Sequence, residues 1–380
     1  MNRQLRRIAA STFALALLPA FALGQSTQPS TQPDRPTVII AIGAEGAPEF
    51  ASDFAAEADH WIHAATLAHA QLIVIGRESL NPATQPAGDE SASQPASAPA
   101  TQPATQPTDK ERLHHALDEA ALDPANPLYL VFIGHGTFDG KDAKLNLTGP
   151  DVSDSELAGW LAPLQRPVAL IDTTAASAPF LTRISGKNRV IITATRAGSE
   201  INYTRFGQYF AQAIDTPGPN SPFDLDKDGQ TSLLEAFLAA SHKVDEFYKQ
   251  QGRLVTEHAL LDDNGDRLGT SADFFDGVRP AARAASNAAI DGARAHQWHL
   301  LRSPEEQAMT PAARAKRDAL ELQLDALRLQ KSTMSADDYY AKLDALLLQL
   351  AHLYADSPAP TTQPATLPTA PTATIEISPN

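Results

Sequence analysis

The stretch LYLVFIGHG at residues 128–136, followed by PVALIDTTAASA at residues 167–178, decides the fold of this chain. Each is a run of apolar residues that ends in small or reactive ones. Such runs are typical of strands buried on both faces of a parallel sheet. The carboxyl ends of parallel strands meet at one edge, where α/β proteins place their functional groups. We therefore expect a site formed by two turns, with His135 in the first and Asp172 in the second.

Other apolar runs predict three more strands of this sheet, at residues 37–42, 72–75 and 189–194, and a short ribbon at residues 144–147. Segments with helical spacing of apolar residues alternate with them, at residues 48–70, 109–121, 154–161, 207–214 and 233–249. This alternation predicts an α/β fold in which a mainly parallel sheet is flanked by helices.

The C-terminal part of the chain predicts an α-helical hairpin at residues 305–356. Thr310 and Ser335 are placed to cap its two helices, and Pro311 suits a first helical position. Each helix carries an apolar stripe: Leu320, Leu324 and Leu327 on the first, and Leu343, Leu346 or Leu347, Leu350 and Tyr354 on the second. We expect the hairpin to pack on the α/β domain. The alternative is a hairpin for oligomerisation or partner binding.

Residues 1–24 have the features of a secretory signal peptide. A basic start precedes an apolar stretch that is too short to span a bilayer comfortably, and a small-residue cleavage site follows. The alternative is an uncleaved membrane anchor. We expect an exported protein, periplasmic or secreted, with no membrane attachment after cleavage.

Thr-Gln-Pro repeats mark the segments that we expect to be disordered, because they are rich in proline and poor in bulky apolar residues. They are a linker at residues 25–36, an insertion at residues 81–108 and a tail at residues 357–380. The α/β domain then spans residues 37–280.

The composition excludes several classes of function. The net charge is −15, which argues against a nucleic-acid partner, because phosphate binding needs clustered lysine and arginine. The 380 residues include no cysteine. The chain therefore has no disulfide, no lipid-modified cysteine and no thiol nucleophile.

The turn around His135 has a simple chemical reading. A histidine between Gly134 and Gly136 combines a base that works near neutral pH with backbone N–H groups that can approach a carbonyl oxygen. A structural histidine in a turn is the alternative.

These two turns resemble the legumain-like and caspase-like cysteine peptidases, which share the caspase-hemoglobinase fold. The resemblance covers residues 37 to about 275. In that family one strand ends in a catalytic histidine followed by glycine, as at His135 and Gly136. The next core strand ends in an elbow of the form acid, small residue, cysteine, any residue, serine, glycine. The acid matches Asp172, the nucleophile position falls on Thr174, and the serine–glycine step falls on Ala176 and Ser177.

The departure from the family lies at the nucleophile. A thiolate is intrinsically nucleophilic, whereas a threonine hydroxyl needs much stronger activation. The basic pair with which legumains read the substrate is also missing, since the first turn is Gly-Ala-Glu-Gly at residues 43–46. We therefore expect a catalytically inactive homologue that binds a peptide or protein partner. The alternatives are an active hydrolase that uses Thr174 or Ser177 with His135, and a structural scaffold that acts through the C-terminal helices.

Residues 224–235, DLDKDGQTSLLE, fit the pattern of a calcium loop without a gap. Ca²⁺ takes about six to eight oxygen ligands around a tight turn. The ligands that we assign are Asp224, Asp226, Asp228, the carbonyl of Gln230 and Glu235, with Ser232 acting through water and Gly229 at the bend. The alternative is an acidic surface turn that caps a helix.

A second acidic turn lies at residues 262–266 and is followed by Arg267 at the position where a calcium loop bends. We therefore favour a plain Asn-Gly turn over a degenerate calcium loop. The sequence leaves open whether the preceding Glu257 and His258 lie near the site.

Overall fold

A computed structural model describes residues 35–80, 106–281 and 291–356. The predicted signal peptide, most of the linker, most of the insertion and the tail lie outside the described residues. Thr108, which the sequence analysis placed in the insertion, belongs to the folded domain. It is the N-cap of a helix and forms a reciprocal capping box with Glu111.

The strands in chain order are β1 (Thr37–Ile42), β2 (Gln71–Ile75), β3 (Leu128–Ile133), β4 (Gly136–Phe138), β5 (Ala143–Leu145), β6 (Val152–Ser153), β7 (Val168–Asp172), β8 (Arg189–Thr193), β9 (Leu260–Asp262), β10 (Phe275–Asp276) and β11 (Arg279–Pro280). The main sheet has the order β2-β1-β3-β7-β8-β9, and β4 to β6 form a small antiparallel sheet beside it. Neighbours in the main sheet are parallel except β9, which runs antiparallel to β8. The predicted α/β class is confirmed.

The helices in chain order are α1 (Pro48–Leu67), α2 (Asp109–Ala120), α3 (Asp154–Leu161), α4 (Ala178–Ile184), α5 (Phe206–Ile214), α6 (Leu233–Gln250), α7 (Pro304–Ala308), α8 (Pro311–Leu329) and α9 (Ala336–Ala355). The first of these ends before the predicted residue 70, because His69 adopts a left-handed backbone with a φ of 51°. Ser153 caps α3 and forms a capping box with Glu156.

Two apolar layers cover the main sheet, because successive residues of a strand point to opposite faces. Val131 lies in a buried cluster with Trp61 of α1, to which α5 and α6 also contribute. Its neighbour Leu130 lies in a second cluster with Leu117 of α2, to which α3 and α4 contribute. Since β1, β3 and β7 are buried along their whole length, their ends are held rigidly at the edge of the sheet.

The core extends past residue 280. Ala295 and Leu300 are buried in the same cluster as α5 and α6, and the backbone N–H of Leu233 donates to the carbonyl of Trp298. The segment before α7 is therefore part of the α/β body.

The C-terminal helices α8 and α9 form a hairpin, and the two helices differ in how far their apolar side chains are buried. Leu320, Leu324 and Leu327 of α8 are buried, and the Gln297 side chain donates to the carbonyl of Asp318 at 2.9 Å. Of α9, only Tyr339 is buried, and Leu347 and Tyr354, predicted for its apolar face, are about half exposed.

None of the helices in the described part of the chain combines the length and the apolar character needed to cross a membrane.

Candidate functional site

The two turns that opened the sequence analysis are neighbours in the structure. Phe132 of β3 pairs with Asp172 of β7 in parallel register, so the chain leaves both strands at the same edge. The closest approach is at Gly136, where an added Cβ would lie 2.8 Å from Thr174 Oγ1 and 2.1 Å from the carbonyl oxygen of Ala175. A glycine is required here because the elbow packs directly against its backbone.

His135 is half-buried, and its imidazole contacts the turn after β1 and the start of α1. Its Nε2 lies 3.1 Å from the carbonyl oxygen of Glu45, in the turn after β1. The rings of Phe50 and Phe54 meet the imidazole edge-on, at centroid distances of 4.8 and 5.2 Å. Among the contacts of the described residues, no hydrogen bond joins this imidazole to the hydroxyl of Thr174 or Ser177.

Thr174, at the nucleophile position, is fully buried. Its hydroxyl donates to Asp172 Oδ1 at 2.7 Å, and its backbone N–H donates to the same oxygen at 3.0 Å. Burial raises the pKa of Asp172 to about 7, and the two hydrogen bonds from Thr174 oppose that rise. Among the described residues no partner reaches the other carboxylate oxygen of Asp172. The pair is a closed structural unit at the end of β7.

Ser177 is also buried and is turned toward the next strand end. Its Oγ lies 3.1 Å from Thr195 Oγ1 and accepts the backbone N–H of Thr195 at 3.2 Å. Ala176, just before it, has a φ of 54°, which is costly for a residue with a Cβ. The predicted elbow therefore exists, but its two hydroxyls face carboxylate and threonine partners.

A buried acid that the sequence analysis missed lies beneath the elbow. Glu57 of α1 accepts the Thr173 hydroxyl at 2.8 Å, and it packs so closely on Gly207 that an added Cβ there would lie 2.4 Å from its carboxylate. Burial raises the pKa of Glu57 to about 8. The available signal was its position between Phe54 and Trp61, inside the apolar stripe of a helix.

Glu257 and His258 lie near the elbow without joining it. The His258 Nδ1 is 2.6 Å from Glu200 Oε1, and the carbonyl of Glu200 accepts the N–H of Ala176. The carboxylate of Glu257 accepts the backbone N–H groups that open α5, so its role is to cap that helix.

A cavity of about 640 Å³ opens beside the elbow, between α3, α4 and the segment after β8. Four cationic side chains line it, and three of these, Lys141 among them, have an acidic partner close by. Arg183 lies 3.4 Å from Asp154, and Arg196 lies 3.3 Å from Glu200.

The predicted calcium loop brings three carboxylates together. Asp224, Asp226 and Glu235 each offer an oxygen, and these atoms lie within 4.8 Å of one another. Asp224 is fully buried, and no hydrogen-bond partner among the described residues reaches its Oδ1. Gly229 has a φ of 86°, as the sharp bend of such a loop requires.

The other predicted ligands have different partners. Asp228 accepts the backbone N–H and the side-chain amide of Gln230, each at 2.9 Å. The side-chain oxygen of Gln230 accepts the N–H of Ser303 at 3.0 Å. Glu235, one of the three clustered carboxylates, also forms a capping box with Ser232 at the start of α6. The loop thus combines the predicted carboxylate group with the helix cap that was its alternative.

The second acidic turn is braced by backbone N–H groups. Asp262 accepts the N–H groups of Gly265 and Arg267, and Asp291 accepts those of Asp263 and Asn264. These bonds use the carboxylates of Asp262 and Asp291 to hold the shape of the turn.

No family model matches this chain, and no curated protein matches it. Among solved structures it is similar to caspase-1 from Spodoptera frugiperda, with a TM-score of 0.35 and 9% identity over 60% of this chain and 86% of that one. It is likewise similar to the Drosophila initiator caspase Dronc, with a TM-score of 0.35 and 11% identity over 61% and 80%. A Geobacter sulfurreducens protein gives a TM-score of 0.33 and 10% identity over 55% and 89%.

Proposed function

We propose that this chain is a caspase-like domain without peptidase activity, which binds Ca²⁺ through residues 224–235 and binds a peptide or protein partner at the sheet edge formed by the turns around His135 and Asp172. The observation that carries the proposal is the burial and the hydrogen bonding of the Thr174 side chain. The residue at the nucleophile position is fully buried, and its hydroxyl donates to Asp172.

Catalysis by this threonine would require three things that the geometry does not favour. The hydroxyl would need a base aligned to remove its proton, whereas His135 contacts the carbonyl of Glu45. It would need an open approach for a carbonyl carbon, but the backbone of Gly136 lies against it. It would also need to leave Asp172, which would strip a buried carboxylate of a hydrogen bond.

Calcium binding is supported by the electrostatics of the loop. Asp224 is buried with one unpaired oxygen, and burial raises the pKa of Glu235 against the hydrogen bonds that it accepts. Carboxylates gathered in this way repel one another, and a divalent cation among them removes that repulsion. Oxygen ligands and a tight glycine bend suit Ca²⁺.

The C-terminal helices support a second candidate function, a scaffold. The outer side of α9 exposes Tyr340, Leu347 and Leu348 by about half their surface or more. Exposed apolar patches of this kind mark interaction surfaces. This function is compatible with the first.

Hydrolysis of a peptide library tests the loss of peptidase activity. We expect the wild-type protein to release no product above the rate of the His135→Ala and Thr174→Ala variants. Hydrolysis by the wild type that both substitutions abolish would establish the active-hydrolase alternative.

Calorimetric titration tests the calcium site. We expect saturable binding of one Ca²⁺, lost in Asp224→Asn, which keeps the shape of the side chain. The matched control is Asp266→Asn in the second acidic turn, which should bind like the wild type. Absence of binding by the wild type, or equal binding by Asp224→Asn, would remove calcium from the proposal.

A further inference from the structure

The calcium loop is in direct contact with the segment that leads to the C-terminal helices. His296 Nε2 lies 2.9 Å from Asp226 Oδ2, across 70 residues of sequence. The N–H of Ser303 donates to the side-chain oxygen of Gln230 at 3.0 Å, and this contact is buried. Two residues of the loop therefore hold two residues of the segment.

The contacts continue from this segment to α8. Ser303 caps α7, since its Oγ accepts the N–H of Glu306. Glu306 is buried and pairs with Arg317 of α8 at 2.9 Å. Arg317 is buried as well. A continuous path of hydrogen bonds and one buried ion pair thus joins the loop to the first helix of the hairpin.

A buried histidine lies between the two ends of this path. His299 Nε2 is 3.9 Å from Asp228 of the loop, and its Nδ1 is 4.0 Å from Glu306. Charges act more strongly on one another in such a setting than in water. A divalent cation in the loop would change the charge that this whole region experiences.

We propose that cation binding by residues 224–235 and docking of residues 296–317 are coupled, so that each strengthens the other, with His296 as the positioning residue that joins them. The inference rests on the proposed calcium site. Asp226 Oδ2 faces His296, and Asp226 Oδ1, which accepts the backbone N–H of Asp228 at 3.2 Å, keeps a lone pair with which it can bind the cation. Groups that orient a metal ligand in this way are worth about 10- to 100-fold in metal affinity.

Coupling between two sites is reciprocal. If the docked segment orients Asp226 and so tightens cation binding, the bound cation must hold the segment more firmly against the loop. Cation binding would then also hold α8 more firmly, and α8 is the arm of the hairpin that packs on the α/β body.

Two measurements on the full chain test the coupling. The first is calcium affinity by calorimetry in the wild type, His296→Ala and His296→Gln, with His242→Ala as the control, since His242 pairs with Glu246 on the surface of α6. We expect about 10-fold weaker binding in His296→Ala, partial recovery in His296→Gln, which keeps an N–H donor, and no change in the control.

The second measurement is amide hydrogen exchange of the wild type, in which Ca²⁺ should slow exchange at residues 296–317.

The outcomes separate the two proposals. If the wild type binds Ca²⁺ but His296→Ala binds equally well and exchange at residues 296–317 is unchanged, the coupling is wrong and the calcium site stands. If the wild type binds no Ca²⁺, the site itself is wrong and the coupling falls with it. If His296→Ala perturbs folding, the exchange measurement on the wild type decides the coupling by itself.

Discussion

Thr174 and Asp172 are joined by a 2.7 Å hydrogen bond in which the hydroxyl donates to the carboxylate, and neither side chain is exposed to solvent. They lie two residues apart at the end of β7. The Thr174 hydroxyl is buried there, at a position where a nucleophile would need to be accessible to substrate. A hydroxyl used in this way contributes to stability, and its loss can be measured as such.

The substitution Thr174→Val keeps the branched shape and removes the hydroxyl. It should lower the free energy of unfolding by about 1–3 kcal/mol, because a buried carboxylate loses a hydrogen bond. Urea denaturation measures the change. The control is Thr66→Val on an exposed face of α1, where the Thr66 hydroxyl donates to the carbonyl of Ile62. This substitution should cost less than about 0.5 kcal/mol. Equal effects at the two positions would show that the Asp172 contact has no special weight.

Glu57 predicts a pH dependence of stability with a definite sign. Burial raises the pKa of Glu57 from 4.5 to about 8, so the folded state holds this proton more tightly than the unfolded chain. The stability that it contributes is fully present below pH 4.5 and is lost as the pH rises toward 8.

The comparison with Glu57→Gln isolates this effect, because glutamine does not ionise. Between pH 4.5 and 8 the wild type should lose stability relative to this variant by a few kcal/mol, since one pKa unit is worth about 1.4 kcal/mol. Glu49→Gln, on the exposed side of the same helix, should follow the wild type. If the free energy of unfolding changed with pH in the wild type as it does in Glu57→Gln, the assignment of Glu57 as a buried, protonated acid would be contradicted.

Gly136→Ala tests how tightly the two turns meet. The new Cβ would lie 2.1 Å from the Ala175 carbonyl oxygen, so the elbow must move. We expect a loss of about 1–3 kcal/mol or more, measured by thermal or chemical denaturation. Gly159→Ala is the control, because nothing lies within 4 Å of its added Cβ and alanine favours a helix. An unchanged Gly136→Ala protein would contradict the close contact between the turns.

The ion pair of Glu306 and Arg317 holds α8 to the segment before it. Burial opposes ionisation of Glu306, but Arg317 outweighs that effect and lowers the pKa of Glu306 to about 2. Arg317→Met takes the nearest cation away from a buried carboxylate and should cost about 3–5 kcal/mol. Arg328→Met removes an exposed pair with Asp325 and should cost less than about 1 kcal/mol. Similar losses in both variants would mean that the buried pair does not fasten α8.

Much of the main sheet could be predicted because its strands are continuous apolar runs. Val131 and its neighbours can be recognised as buried from the apolar run alone, without knowledge of the strands beside them. The start of α3 can be recognised from the spacing of Ser153 and Glu156, which form a capping box. The strand β9 could not be predicted, since three residues pairing antiparallel with β8 carry no periodic signal.

The surroundings of the site depend on contacts between distant parts of the chain. Glu57 reaches Thr173 across 116 residues, and His296 reaches Asp226 across 70. No local pattern encodes such pairs. The sequence could therefore place His135 and Thr174 at one edge, but it could not show that the threonine hydroxyl is turned to Asp172.

The most direct test of the closed elbow uses the absence of cysteine from the chain. Thr174→Cys introduces one thiol at the nucleophile position, and its reaction with a thiol-specific reagent reports whether that position is open. Leu122→Cys, at a residue that is 83% exposed, sets the rate for a free thiol. We expect Leu122→Cys to react at once and Thr174→Cys to react only after unfolding in denaturant. Labelling of native Thr174→Cys at the rate of the exposed thiol would contradict the account.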